Sequence, residues 1–128
     1  MSEPKTWTPA KPTWSSPGRR PRIALVGSGD QQRVLNEAER IAPLIKQHAD
    51  IRFSDFEGTQ DLATAETDLI IVLGGDGSIL HAAHRMAERQ LPVLSVNLGK
   101  LGFLSALSPV EFMEWFPRVC AGECRILD

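Results

Sequence analysis

The run Leu69-Ile70-Ile71-Val72-Leu73 is apolar at every position and opens directly onto Gly74-Gly75-Asp76-Gly77. A strand with one wet face alternates apolar and polar residues, so an unbroken run of this kind implies burial on both faces. Sheets covered on both faces are parallel and use helices as crossovers, which restricts the chain to an α/β architecture. The glycines suit the end of such a strand, where they permit a tight turn and a close backbone approach to a ligand. Open α/β sheets bind ligands at the carboxyl ends of their strands, so the Asp76 loop is expected to serve a nucleotide or phosphate.

The remaining elements follow from spacing and punctuation. Ile23-Ala24-Leu25-Val26 reads as a first strand ending in Gly27-Ser28-Gly29-Asp30, with Asp30 able to cap the next helix. Val34, Ala38, Ile41 and Ile45 recur at helical spacing, and Pro43 is expected to kink that helix or end its first part. Asp50 to Phe53 is partly polar and suits a sheet edge, and residues 59–67 form a connection or a short helix. Ser78 to Arg89 reads as a helix with Ile79, Ala83 and Met86 on one face, and Val93 to Val96 as a fourth strand after Pro92. Ser108, Pro109 and Glu111 spell a capping box with proline at the first helical position. Val110, Met113 and Phe116 are expected to face the core until Pro117 stops or bends that helix, and Cys124 to Leu127 to start a further strand. The plan is a three-layer, Rossmann-like parallel sheet flanked by helices, with right-handed crossovers and loops 74–77 and 97–102 at the same end.

A chain of 128 residues suits one domain, placed at residues 21–128. Residues 1–20 carry Pro4, Pro9, Pro12 and Pro17 around Trp7 and Trp14, and read as a flexible leader unless a tryptophan docks on the domain or on a partner subunit. Fourteen Lys and Arg against 16 Asp and Glu give no basic footprint for nucleic acid. No stretch approaches a membrane span and the start lacks the apolar core of a signal peptide, so a cytoplasmic location away from membranes is expected. Cys120 and Cys124 are too few for a disulfide scaffold and read as a structural or incidental pair rather than metal ligands.

The loops carry the chemistry. Backbone amides around Gly74, Gly75 and Gly77, with the helix start at Ser78, can form an anion-binding concavity. An ionised Asp76 there can accept a proton from a hydroxyl or hold a metal ion through solvent; the alternative is that it only caps a helix or fixes the turn. His81 is near enough in sequence to touch a ligand, whereas His84 and Arg85 read as surface residues. Gly27-Ser28-Gly29 falls short of the dinucleotide fingerprint because position 32 is glutamine, which leaves phosphate contact and a simple strand-to-helix turn both open. In the second loop Asn97 offers a donor and an acceptor to a ribose or an amide. Lys100 is either a phosphate contact or a solvated group, and Phe103 reads as core packing.

Gly74-Gly75-Asp76-Gly77 with Ser78-Ile79-Leu80 resembles the glycine–aspartate motif of NAD kinases, a motif shared with lipid kinases and, in similar form, phosphofructokinases. The stretch from Pro92 through Asn97-Leu98-Gly99-Lys100-Leu101-Gly102-Phe103-Leu104 also resembles the NAD kinase family and narrows the choice to it. The resemblance implies phosphoryl transfer from ATP, or in some members polyphosphate, to the 2′-hydroxyl of the adenosine ribose of NAD, giving NADP. It implies Asp76 as the catalytic base, with Gly74, Gly75, Asp76, Gly77, Ser78, His81 and Asn97 around the nucleotides. Mg2+ or another divalent metal is expected to be held mainly by phosphates, with no direct side-chain site. Ser78 stands where threonine is more usual and keeps the hydroxyl.

Members of that family carry a second, mostly β domain, so the chain resembles an amino-terminal half, expected to be inactive alone and part of a homo-oligomer when whole. The alternatives are a non-catalytic nucleotide-binding regulatory or structural domain, and a lipid kinase domain with the same glycine–aspartate motif.

Overall fold

The computed structural model describes residues 14, 20–28, 32–62, 64, 66–74, 76–86, 91–98 and 107–121. Along the chain these form β1 (Arg22–Gly27), α1 (Gln32–His48), β2 (Asp50–Asp55), β3 (Leu69–Gly74), α2 (Asp76–Met86), β4 (Val93–Asn97) and α3 (Pro109–Cys120). The four strands make one parallel sheet in the order β2-β1-β3-β4, which puts the partly polar β2 at an edge and the apolar run in the interior.

Alternate residues of the two central strands feed two separate cores. Ile23, Leu25, Leu69, Ile71 and Leu73 pack under α1 and α3 with Val34, Ile41, Ile45, Phe112 and Phe116. Ala24, Val26, Ile70 and Val72 face the other way, onto Ala82 and Met86 of α2 and onto Leu62. Both faces of β3 are therefore dry, which is the physical reason its sequence does not alternate.

Several sequence expectations change in detail. Pro43 neither ends α1 nor interrupts its span, because Pro43 and Glu39, whose carbonyl loses its amide partner, are both exposed. The segment between β2 and β3 holds no helix among its described residues. Helix α2 starts at Asp76, two residues early, and buries Ala82 rather than Ala83.

Helix α3 has the full capping box: the Glu111 amide donates to Ser108 Oγ at 3.1 Å, and the Ser108 amide to Glu111 Oε1 at 3.0 Å. Its buried stripe is Phe112, Phe116 and Cys120, while Val110 is 67% exposed and Met113 36%. Two stacked rings, with centroids 4.9 Å apart, bury more apolar area than the Val110–Met113 stripe would, and the helix rotates to place them inward. It also runs through Pro117 to Cys120.

Trp14 takes the docked alternative. It is 2% exposed, lies in the core under α3, and donates from Nε1 to the Val119 carbonyl at 2.7 Å. Arg20 ties the following segment down by donating to the Lys46 and Ala49 carbonyls at 2.7 and 2.9 Å, at the carboxyl end of α1. The other residues of the leader, Asp30 and the segment 124–127 lie outside the described residues. No helix among the described residues is long and apolar enough to cross a membrane.

Candidate functional site

The site grows from the place where β3 hands over to α2. Gly74, the last residue of β3, has φ +145°, and a Cβ there would strike the Ser78 side chain. Only glycine suits that backbone, and its lack of a side chain lets the first turn of α2 fold back against the strand end. Gly74 pairs in register with Asn97 of β4, and its carbonyl accepts the Leu98 amide at 3.2 Å. Asn97 is buried, and its amide donates to the Leu107 carbonyl at 2.8 Å. Asp76 opens α2 at this same carboxyl end of the sheet. Gly75, Gly99, Lys100, Leu101, Gly102, Phe103 and Leu104 lie outside the described residues, and of Asp76 and Gly77 the helical backbone alone is described.

A cleft of about 420 Å³ lies between the carboxyl ends of β1 and β2 and helix α2. Gly27 and Ser28 form its floor, Phe56, Glu57 and Gly58 one wall, and Ser78, His81, Ala82 and Arg85 the other. A Cβ at Gly27 would lie 2.8 Å from both the Leu73 carbonyl and Val34 Cγ1, so glycine is required there for close packing. Of the residues expected from sequence, the cleft brings together Ser78 and His81. Asn97 instead lines a second cavity of about 550 Å³, with Arg33, Arg40 and Ser108 on the α1–α3 side of the sheet.

Arg85 corrects an expectation: it is not a surface residue. Its side chain is 14% exposed and its guanidinium is bonded to the Asp55 carboxylate. Burial pushes the Asp55 pKa up, but the Gln60 amide, Arg85, and the Thr59 and Glu57 amides outweigh it and hold the carboxyl well below the usual range. Sequence reading missed Asp55, Phe56, Glu57 and Gly58 as well. The available signal was a strand ending in Asp, followed within three residues by glycine, a pattern that closes a turn on its own carboxylate. Among the described residues no three His, Cys, Asp or Glu side chains converge as a metal site.

These features define a class: a Rossmann-like α/β domain with a cleft at the carboxyl end of its parallel sheet, framed by the ends of β1 and β2 and by helix α2. Comparison with known proteins makes the class specific. Residues 25–124 match the family model of the ATP-NAD kinase N-terminal domain, and the chain belongs to that family. It is similar to the NAD kinase of Rhodopirellula baltica, 47% identical over 114 residues, covering 89% of this chain and 37% of the relative. Its fold is similar to that of a yeast NADH kinase complexed with NADH, with a TM-score of 0.58, 19% identity, and 92% of this chain and 40% of the other covered. It is also similar to an NAD kinase from Archaeoglobus fulgidus in complex with ATP, with a TM-score of 0.50, 23% identity, and coverage of 77% and 36%. The chain thus spans between a third and two fifths of the length of each.

Proposed function

We propose that this chain forms the part of an NAD kinase that presents the catalytic carboxylate and receives the phosphate donor. The observation that carries this reading is the family match over residues 25–124, which includes both the Gly74–Leu80 motif and the Asn97–Leu104 segment. In the proposed reaction Asp76 takes the proton from the 2′-hydroxyl of the adenosine ribose of NAD. The freed oxygen bonds to the γ-phosphorus of ATP as the bond to the β,γ-bridging oxygen breaks, leaving NADP and ADP. The start of α2, with the backbone of Gly77 and Ser78, supplies donors for the triphosphate. The cleft beside it has the volume of a small-molecule site and is assigned here to the donor nucleotide, with Ser78 and His81 as polar contacts. Asn97 supports the strand end under the loop through its pairing with Gly74.

Mg2+ would be held in this scheme mainly by the donor's phosphates. Bound there, it would neutralise charge on the transferred group. Because the chain covers 37% of its Rhodopirellula relative, we propose that turnover needs the remaining length and that the 128 residues alone are inactive.

The test measures NADP formed from NAD and ATP by the chain alone and by a fusion supplying the rest of the Rhodopirellula baltica relative. The expected result is no turnover alone, turnover in the fusion, and a loss of about 10²-fold or more in the Asp76→Asn fusion. Full activity of Asp76→Asn would remove the carboxylate from the mechanism. Phosphorylation of a lipid in place of NAD would move the chain to the lipid kinase alternative.

A further inference from the structure

Asp55 closes β2 and gathers five donors onto one carboxylate. Oδ1 accepts the amides of Glu57 at 3.2 Å, Gly58 at 2.9 Å and Thr59 at 3.2 Å; Oδ2 accepts the Gln60 amide at 2.9 Å and the Arg85 guanidinium. Gly58, at φ +75°, lets the turn curl around this centre. Arg85 Nη2 donates a second time, to the Gln60 carbonyl at 2.7 Å. One side chain of α2 therefore holds both ends of the 55–60 turn, through a single guanidinium nitrogen.

This turn is the Phe56–Gly58 wall of the cleft, facing Ser78 and His81. The Arg85 charge is answered by Asp55, and Glu57 adds a carboxylate of its own, so this end of the cleft carries no net positive charge. Phosphates are disfavoured there. What the wall does offer is apolar surface from Phe56 and an acceptor for a hydroxyl at Glu57, the chemistry of a nucleoside. Donors for phosphate lie at the other end, where α2 begins.

We propose that Arg85, acting through Asp55, is a positioning residue that shapes the Phe56–Gly58 wall around the nucleoside end of the phosphate donor and so selects a nucleoside triphosphate over inorganic polyphosphate. This rests on the assignment of the cleft to the donor nucleotide. The separation of the two ends gives it a direction: removing Arg85 costs nucleoside recognition at the wall and spares phosphate binding at the start of α2.

The experiment is calorimetric titration of the chain and of Arg85→Met, Arg85→Lys and Asp55→Asn with ATP and with inorganic tripolyphosphate, alongside amide hydrogen exchange. The parent is expected to bind ATP at least about tenfold more tightly than tripolyphosphate. Arg85→Met is expected to lose about tenfold for ATP, to stay within about twofold for tripolyphosphate, and to exchange the amides of residues 57–60 faster with those of β3 unchanged. Arg85→Lys keeps the charge on a side chain of shorter reach and falls between. Asp55→Asn reports on the same turn if Arg85→Met does not fold. Equal losses for both ligands would mark a purely structural role and overturn the proposal, as would a parent that does not discriminate between them. A parent that binds ATP, with variants that bind it equally well, overturns the role of Arg85 alone. A parent that binds neither ligand overturns the assignment of the cleft itself, and the selection with it.

Discussion

Gly74 and Ser78 are set so close that the glycine has no room for a methyl group: a Cβ on Gly74 would collide with the Ser78 hydroxyl and lie 3.1 Å from its Cβ. Strand β3 and helix α2 meet at this contact, and Asp76 stands between the two residues. Gly74→Ala faces two penalties, the collision and a φ of +145° that side-chain-bearing residues rarely adopt. Denaturant unfolding is expected to show a loss of about 1–3 kcal/mol. Adding Ser78→Gly removes the collision and leaves the backbone strain, so the double variant should recover part of the loss. Full recovery would show that strain contributes nothing, and no loss in Gly74→Ala would show that the junction is slack.

Trp14 stands 105 positions from Val119 in sequence, yet it seals the core beneath α3 and bonds the Val119 carbonyl. Trp14→Ala is expected to cost about 3–5 kcal/mol, the range for truncating a large buried ring. Trp14→Phe keeps most of the apolar contact and loses only the Nε1 bond to Val119, so it should cost less, about 0.5–1.5 kcal/mol. Deletion of residues 1–19 should match Trp14→Ala within error. A deletion without effect on the unfolding midpoint would mean that the docked ring adds no stability.

On α3 the buried face follows the aromatic rings. Phe112→Ala is expected to cost about 3–5 kcal/mol, while Val110→Ser, at an exposed position, should stay within about 0.5 kcal/mol. Thermal melts of the two variants check the rotation of the helix. Comparable losses would return the core to the Val110–Met113 stripe.

That helix shows where sequence reading stops. The apolar runs of β1, β3 and β4 and the Val34–Ile45 stripe of α1 were legible because burial on two faces, or on one stripe, leaves a periodicity in the residues themselves. The capping box of α3 was legible because a cap is a local contact. Which stripe of α3 turns inward depends on the facing layer, and the period allowed both. The Gly74–Asp76 junction was visible as a glycine cluster, but the wall opposite it was not. Asp55 and Arg85 are 30 positions apart and meet only once β2 and α2 have been placed by the sheet. Read singly, Asp55 lay beyond the strand expected at 50–53 and drew no role, and Arg85 was a surface charge on a helix. Trp14 presented the same difficulty, since its partner Val119 lies 105 positions away.

The Asp55 carboxylate makes a prediction about acid. Its folded pKa lies below the ordinary carboxylate value of 3.8, because the turn amides and Arg85 favour the ionised form more strongly than burial opposes it. The unfolded chain therefore takes up this proton first as pH falls. The stabilisation is complete above the unfolded value and is lost progressively as pH drops from about 3.8 toward the folded pKa. Urea unfolding of the parent and of Asp55→Asn across this range should show the largest gap near neutral pH, narrowing as the pH falls toward about 2. Arg85→Met should narrow the gap from the other side, since one of the groups that depresses the pKa is gone while the amides of Gln60, Thr59 and Glu57 remain. A gap that stays constant across the range would mean that the Asp55 carboxyl titrates alike in both states, and the turn around it would then draw no stability from its charge.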